Sequence, residues 1–264
     1  MELYYVLVFF TLGLMFGSFY NVVGYRLPKK ESIVTPSSHC TACKNKLKPL
    51  ELIPVLSFLF LGRKCKSCGV KISWFYSIFE FLTGILFVLS YLMFGFTIEL
   101  AISLIFVSIV IIITVSDFEY YIIPDEIIII GIISLSIAYF LNGGFVDGTF
   151  SLSSAGIELG LVLLNGLGAF LLMYGIKIIG DKLFKKESMG GGDIKLLFIL
   201  GMVIGFPLAI ISIFFASMIA LPISLIIYQR KKTNIIPFGP FLCLAALILF
   251  FTSVDWLDIL TIFS

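Results

Sequence analysis

Charged side chains are scarce in this 264-residue chain. Asp, Glu, Lys and Arg make up 13% of it, against about a quarter in a soluble globular domain. Hydrophobic residues supply 60%, and the mean hydropathy is +1.14. A water-soluble fold is therefore excluded, and no nucleic-acid partner is expected. No Lys or Arg precedes Arg26. The first apolar run thus lacks the basic start of a cleaved signal and carries its positive flank afterward, as an N-out anchor does. There is no convincing internal repeat, no low-complexity tract, no separate soluble domain beyond one basic loop, and no G-x-G-x-G nucleotide loop in the N-terminal region.

What the sequence does have is apolar runs. A helix needs about 20 apolar residues to cross a bilayer, and a repeated pattern of such runs favours helices over barrel strands. Eight runs stand out: 2–24, 74–94, 98–116, 126–142, 157–179, 194–206, 207–228 and 237–254. The expected fold is an all-α polytopic membrane protein of about eight transmembrane helices. The sixth run is too short to cross without bilayer thinning or help from its neighbours. Ten of the 18 Lys and Arg residues fall between Arg26 and Lys71. By the positive-inside rule that loop is cytosolic. Alternating from there, Lys177, Lys182, Lys185, Lys186, Lys195, Arg230, Lys231 and Lys232 also fall inside. An even helix count with both termini outside follows, Asp255 and Asp258 lying near the outer C-terminus.

The basic loop, 26–72, contains "CTAC" at 40–43 and "CKSC" at 65–68. Each C-x-x-C pair can put two thiolates on one turn, and two such turns can close a tetrahedral zinc site from Cys40, Cys43, Cys65 and Cys68. Redox pairs or unligated thiols are the plainer alternatives. A closed four-thiolate site has no open position, so the zinc would be structural, folding a loop too small to have much core. His39 adjoins Cys40 and reads as a bystander. Cys243, in the last run, reads as a packing residue.

Acids gather at the inner membrane edge. In "VSDFEYYIIPDEIIII" (115–130), Asp117 closes the third run on its cytosolic side. Pro124 breaks the chain, and Asp125 and Glu126 open the fourth run. In "SMGGGDIKLLFILGMVIG" (188–205), Asp193 opens the sixth run behind Gly190, Gly191 and Gly192. Asp117 and Asp193 therefore lie at similar depth. Two close carboxyls in a poorly solvated site share one proton, leaving one acid and one base. Such a pair can activate water and protonate a leaving amine without a metal. The glycines would allow unusual backbone angles and close approach of a substrate backbone. Two alternatives remain open on spacing alone. Asp in a helix's first turn is a common cap, and Asp117, Glu119, Asp125, Glu126 and Asp193 could supply oxygen ligands to a metal.

Five patches stand in order along the chain: "FGSFYNVVGYRLP" at 16–28, the two C-x-x-C pairs, "YSIFEFLTG" at 76–84, "DFEYYIIPD" at 117–125 and "GGGDIK" at 190–195. Together they resemble the bacterial type IV prepilin peptidases (leader peptidase/N-methyltransferases), members of the GxGD intramembrane aspartyl proteases. The resemblance implies removal of a short leader from prepilins or pseudopilins at the cytosolic face, followed by N-methylation from S-adenosylmethionine. It matches Asp117 and Asp193 to the catalytic aspartates, Gly190 and Gly192 to the signature glycines, and Asp125 to a supporting aspartate. It ties methylation to the N-terminal region, where Gly17, Ser18, Asn21, Arg26 and Glu80 are the cofactor-binding candidates.

Simpler roles stand beside these. Gly17 and Gly24 can let helices approach, Asn21 can bond a neighbouring helix, and Arg26 can anchor topology. Glu80, about two turns inside the second run, needs a partner or a role.

Two domains are expected. Residues 1–95 would hold the N-terminal helices, the four-Cys loop and the methyltransferase region. Residues 96–264 would form the aspartyl peptidase membrane core. The expected partners are a prepilin or pseudopilin and membrane lipid, with a homo-oligomer left open. Two other functions compete: a metal-dependent lipid or polyprenyl transferase using the acids, and a proton-coupled transporter. The transporter would favour midplane acids and repeated halves.

Overall fold

The computed structural model describes residues 2–40, 42–146, 149–185, 189–231 and 236–252. Lys186, Lys232, Asp255 and Asp258, used above to orient the chain, lie outside the described residues. Each apolar run is a helix: α1 (Glu2–Arg26), α3 (Trp74–Phe94), α4 (Ile98–Tyr120), α5 (Asp125–Gly144), α6 (Leu152–Phe184), α7 (Gly191–Ile204), α8 (Phe206–Lys231) and α9 (Gly239–Thr252). A short helix, α2 (Leu56–Phe60), lies inside the cysteine loop, and strands β1 (Phe145–Val146) and β2 (Thr149–Phe150) join α5 to α6.

The expected count of about eight crossings is approximate. Among the described residues, six helices are long and apolar enough to span a membrane. Helix α7 has 14 residues, about 21 Å of helix against a hydrocarbon core of about 30 Å, as the short sixth run leads one to expect; α9 is described from Gly239 to Thr252. Helix α6, by contrast, has 33 residues and outruns the expected 157–179 at both ends. Its last turns carry Lys177 and Lys182, polar enough to escape a hydropathy reading.

The chain divides into two compact units, Met1–Leu100 and Ala101–Ser264. In the first, α1 and α3 pack antiparallel with backbones close together. A Cβ at Gly13 would sit 2.7 Å from Gly84 Cα, and one at Gly17 would sit 2.9 Å from Glu80 Cα. Small residues at such crossings let helices gain van der Waals contact that lipid cannot better. Tyr25 stacks on Tyr76 at one end of the pair and Phe9 on Tyr91 at the other.

In the second unit α7 is sheathed by its neighbours. Leu196, Leu197, Ile199 and Leu200 are fully buried. Its axial position against α6 is set by two close approaches, Gly166 on the Phe198 carbonyl and Gly201 on the Asn165 carbonyl. The chain turns from α7 into α8 at Gly205, whose φ of +83° suits glycine. Asn165 Oδ1 accepts the Phe206 N–H there at 3.2 Å. That bond satisfies one of the free N–H groups at the start of α8, which would be costly unpaired in lipid.

Candidate functional site

Asp117 lies in the last turn of α4 and is buried. Just beyond it the helix stops. Tyr121 takes a left-handed φ of +57°, its N–H still bonded to the Asp117 carbonyl at 3.0 Å. The Ser116 hydroxyl donates to the Ile122 carbonyl and holds the turn. Pro124 then opens α5. The strap 121–124 thereby places Ile123 beside two glycines. A Cβ on Gly192 would meet Ile123 Cβ at 3.0 Å, and one on Gly239 would meet Ile123 Cδ1 at 3.3 Å. Gly192 immediately precedes Asp193. Gly239 opens α9, and its N–H donates to Asp117 Oδ2 at 3.0 Å across 122 sequence positions. Asp117 and Asp193 are close enough to act on each other electrostatically, and both act on buried Cys243, which hydrogen-bonds Thr114.

Three helix ends therefore converge: the C-terminus of α4 and the N-termini of α7 and α9. Asp193 is the third residue of α7, with Gly190 in the cap position and no side-chain cap there. The signature glycines differ from expectation. None takes a left-handed φ, and Gly190 has an ordinary extended backbone (φ −65°, ψ 137°). Their use is close approach: Gly192 against Ile123, and Gly190 with its Cβ direction 3.5 Å from Asp193 Oδ2. Asp125 turns away to pair with Lys195 at 2.6 Å, both well exposed. That pair ties the start of α5 to α7 two residues past Asp193. The residue that sequence reasoning missed is Gly239. Its only local signal is the "PFGP" turn at 237–240.

In the first unit Gly17, Ser18, Asn21 and Glu80 gather on the facing sides of α1 and α3. Glu80 is buried, hydrogen-bonds Ser18, and accepts the Val55 N–H through Oε2 at 2.8 Å. Asn21 Nδ2 donates to the Tyr76 carbonyl at 3.0 Å, leaving its buried Oδ1 with no partner. Arg26 does not join them, since its guanidinium donates to the Ser32 carbonyl.

The four cysteines sit on two turns of matching build. The Cys40 N–H bonds the Asn45 carbonyl and the Cys65 N–H the Val70 carbonyl, each at 2.9 Å. The residues after the second cysteines, Lys44 and Gly69, are both left-handed. All four sulfurs lie within 4.8 Å of one another, with Cys40–Cys68 at 3.9 Å and Cys43–Cys65 at 4.0 Å. Tetrahedral thiolates at about 2.3 Å from a zinc ion stand about 3.8 Å apart, so the group could hold such a metal. Backbone N–H groups of Cys43 and Ala42 bring the Cys40 thiol down to about 6. His39 points to the Ser37 carbonyl and lies outside the cluster. Among the described residues the acids form no comparable metal-spaced group.

Comparison with known proteins divides the chain in the same region. Residues 11–94 match the Bacterial Peptidase A24 N-terminal domain, and residues 104–225 match the Type IV leader peptidase family. A Bacillus subtilis (strain 168) protein named prepilin leader peptidase/N-methyltransferase is 35% identical over 236 residues, 88% of each chain. The chain belongs to the type IV leader peptidase family. A second relative in this peptidase family, of the same name and from Neisseria gonorrhoeae, is 31% identical over 276 residues, 93% of this chain and 92% of its own. No solved structure matches. The leader peptidase match ends at residue 225, short of Gly239 and α9.

Proposed function

We propose that the protein is a membrane-embedded prepilin leader peptidase and N-methyltransferase, with Asp117 and Asp193 as its hydrolytic pair. The observation that carries the peptidase half is the convergence of both acids and the Gly239 N–H around Ile123. The Gly239 N–H donates to Oδ2 of Asp117 and so favours the unprotonated form of that oxygen. The pair's shared proton is then better placed on the other carboxyl oxygens. One carboxylate takes a proton from water as its oxygen attacks the scissile carbonyl. The other carboxyl protonates the leaving nitrogen. The C–N bond breaks, giving the leader's carboxylate and a new amine.

Methylation belongs to the first unit in this reading. S-adenosylmethionine, when bound, supplies the methyl group to the new amine. Gly17, Ser18, Asn21 and Glu80 would hold it. The fit rests on acceptors: the unpartnered Oδ1 of Asn21 and the Glu80 carboxyl suit a cationic ligand. Zinc in the cysteine site would be structural, and the loop, Asp117 and Asp193 would face the cytosol with both termini outside.

The test supplies purified protein with intact prepilin, with precleaved pilin, and with labelled S-adenosylmethionine. Cleavage is expected first, because methyl transfer needs the amine that cleavage exposes. Asp193→Asn should fail on intact prepilin yet methylate the precleaved pilin at the wild-type rate. Loss of both activities in a folded variant would replace the two-site reading with a shared site. If intact prepilin is neither cut nor labelled by the wild-type protein, the whole reading fails.

Elemental analysis is expected to find about one zinc per chain, the number one four-thiolate site permits. Cys40→Ser should release it and make the 26–72 loop sensitive to protease. Stoichiometric zinc in a variant lacking all four thiols would refute the site.

A further inference from the structure

Residues 49–61 connect the two cysteine turns, and they are apolar where a cytosolic loop should be polar. Leu50 is 77% exposed, Leu59 59% and Phe60 85%. Leu50, Ile53, Leu56, Phe60 and Lys66 line a shallow notch of about 290 Å³. Two contacts fix where this surface lies. The Phe58 ring packs on Trp74, the first residue of α3, with centroids 5.0 Å apart. The Val55 N–H donates to Glu80 Oε2, and Glu80 stands six residues farther in, about 9 Å along the helix axis. Helix α3 has 21 residues, about 32 Å of rise, roughly the thickness of the hydrocarbon core. Its first two turns therefore have little room outside the membrane, and the segment running beside them is at membrane depth.

We propose that residues 49–61 form a re-entrant segment that dips into the lipid leaflet at the α1–α3 loop side. Leu50, Ile53, Leu56, Leu59 and Phe60 lie against acyl chains. Lys44, Lys46 and Lys48 before it, and Lys64 and Lys66 after it, lie at the level of anionic headgroups. Non-helical backbone survives at that depth only when the protein satisfies its polar groups. Val55 is the break, with φ +59° and ψ −50°, a costly conformation for a β-branched residue. Its N–H is taken by Glu80. A buried membrane carboxyl thus serves the backbone of the segment that enters beside it. Depth and the basic flanks favour lipid over a protein partner as the occupant of the apolar face. The inference does not rest on the peptidase reading.

The test uses the full-length protein in bilayer discs. Phe60→Trp adds a tryptophan at an exposed position, so folding is not at risk, and its emission is read as the difference from wild type. The quenchers are lipids brominated on the upper acyl chain and aqueous iodide. Bromolipid should quench the added emission several-fold more than iodide, and Leu59→Trp should behave alike. Iodide quenching equal to or above that of bromolipid would place the segment in water and overturn the proposal. Protection from both would also overturn it, showing the face covered by protein: a second copy, a bound substrate or another part of the chain.

Discussion

Asp193→Asn is expected to stop leader cleavage, the rate falling by about a thousandfold or more, as loss of an acid–base group requires. Asn keeps the shape of the side chain but can neither take a proton from water nor return one to the leaving nitrogen. Asp117→Asn should do the same. Its amide oxygen can still accept the Gly239 N–H, so the convergence of α4 and α9 survives and the loss falls on chemistry. The measurement is the gel shift of a purified prepilin at equal enzyme, with helicity and melting compared between variants. Chelators should leave cleavage intact over the same minutes, since the pair needs no metal. Near wild-type cutting by either variant would end the two-aspartate assignment. Rapid loss to chelator, restored by magnesium, would favour metal chemistry at the acids.

Gly239→Ala is the other large effect. A Cβ there would stand 2.7 Å from Asp117 Oδ2 and 3.3 Å from its Cγ. The carboxyl must swing away, while the helix start, with Pro240 in its first turn, remains compatible with alanine. Displacing a reacting group by about 1 Å costs about a hundredfold in rate. The loss should appear in kcat with KM little changed, because the contact is to the acid rather than to the leader. Methylation of precleaved pilin should be unaffected. A variant that cleaves at the wild-type rate would show that the Gly239 contact does not position Asp117.

The sequence makes the helices legible because apolar runs in lipid have few other ways to satisfy their backbone. The cysteine spacing is legible for a similar reason: two short turns leave little freedom in where four sulfurs can go. Asp117 and Asp193 share a depth that can be read from the chain. Gly239 cannot be read this way. It reaches Asp117 across 122 positions and carries no side chain to advertise a role. The Val55–Glu80 bond is equally silent, since its donor is a backbone group that any residue but proline offers. The shortness of the sixth run is legible as a need for help from its neighbours, and the buried side chains of α7 do face other helices.

That burial separates α7 from the bilayer mechanically. From Leu196 to Met202 no residue is exposed, and the Gly166 and Gly201 contacts lock its height against α6. Hydrophobic mismatch works on surfaces that touch acyl chains, tilting or sliding them as the membrane thickens or thins. The outer helices feel that force, and α7 does not. The height of Asp193 is thus set by helix-on-helix packing, and the same depth is kept in membranes of different thickness.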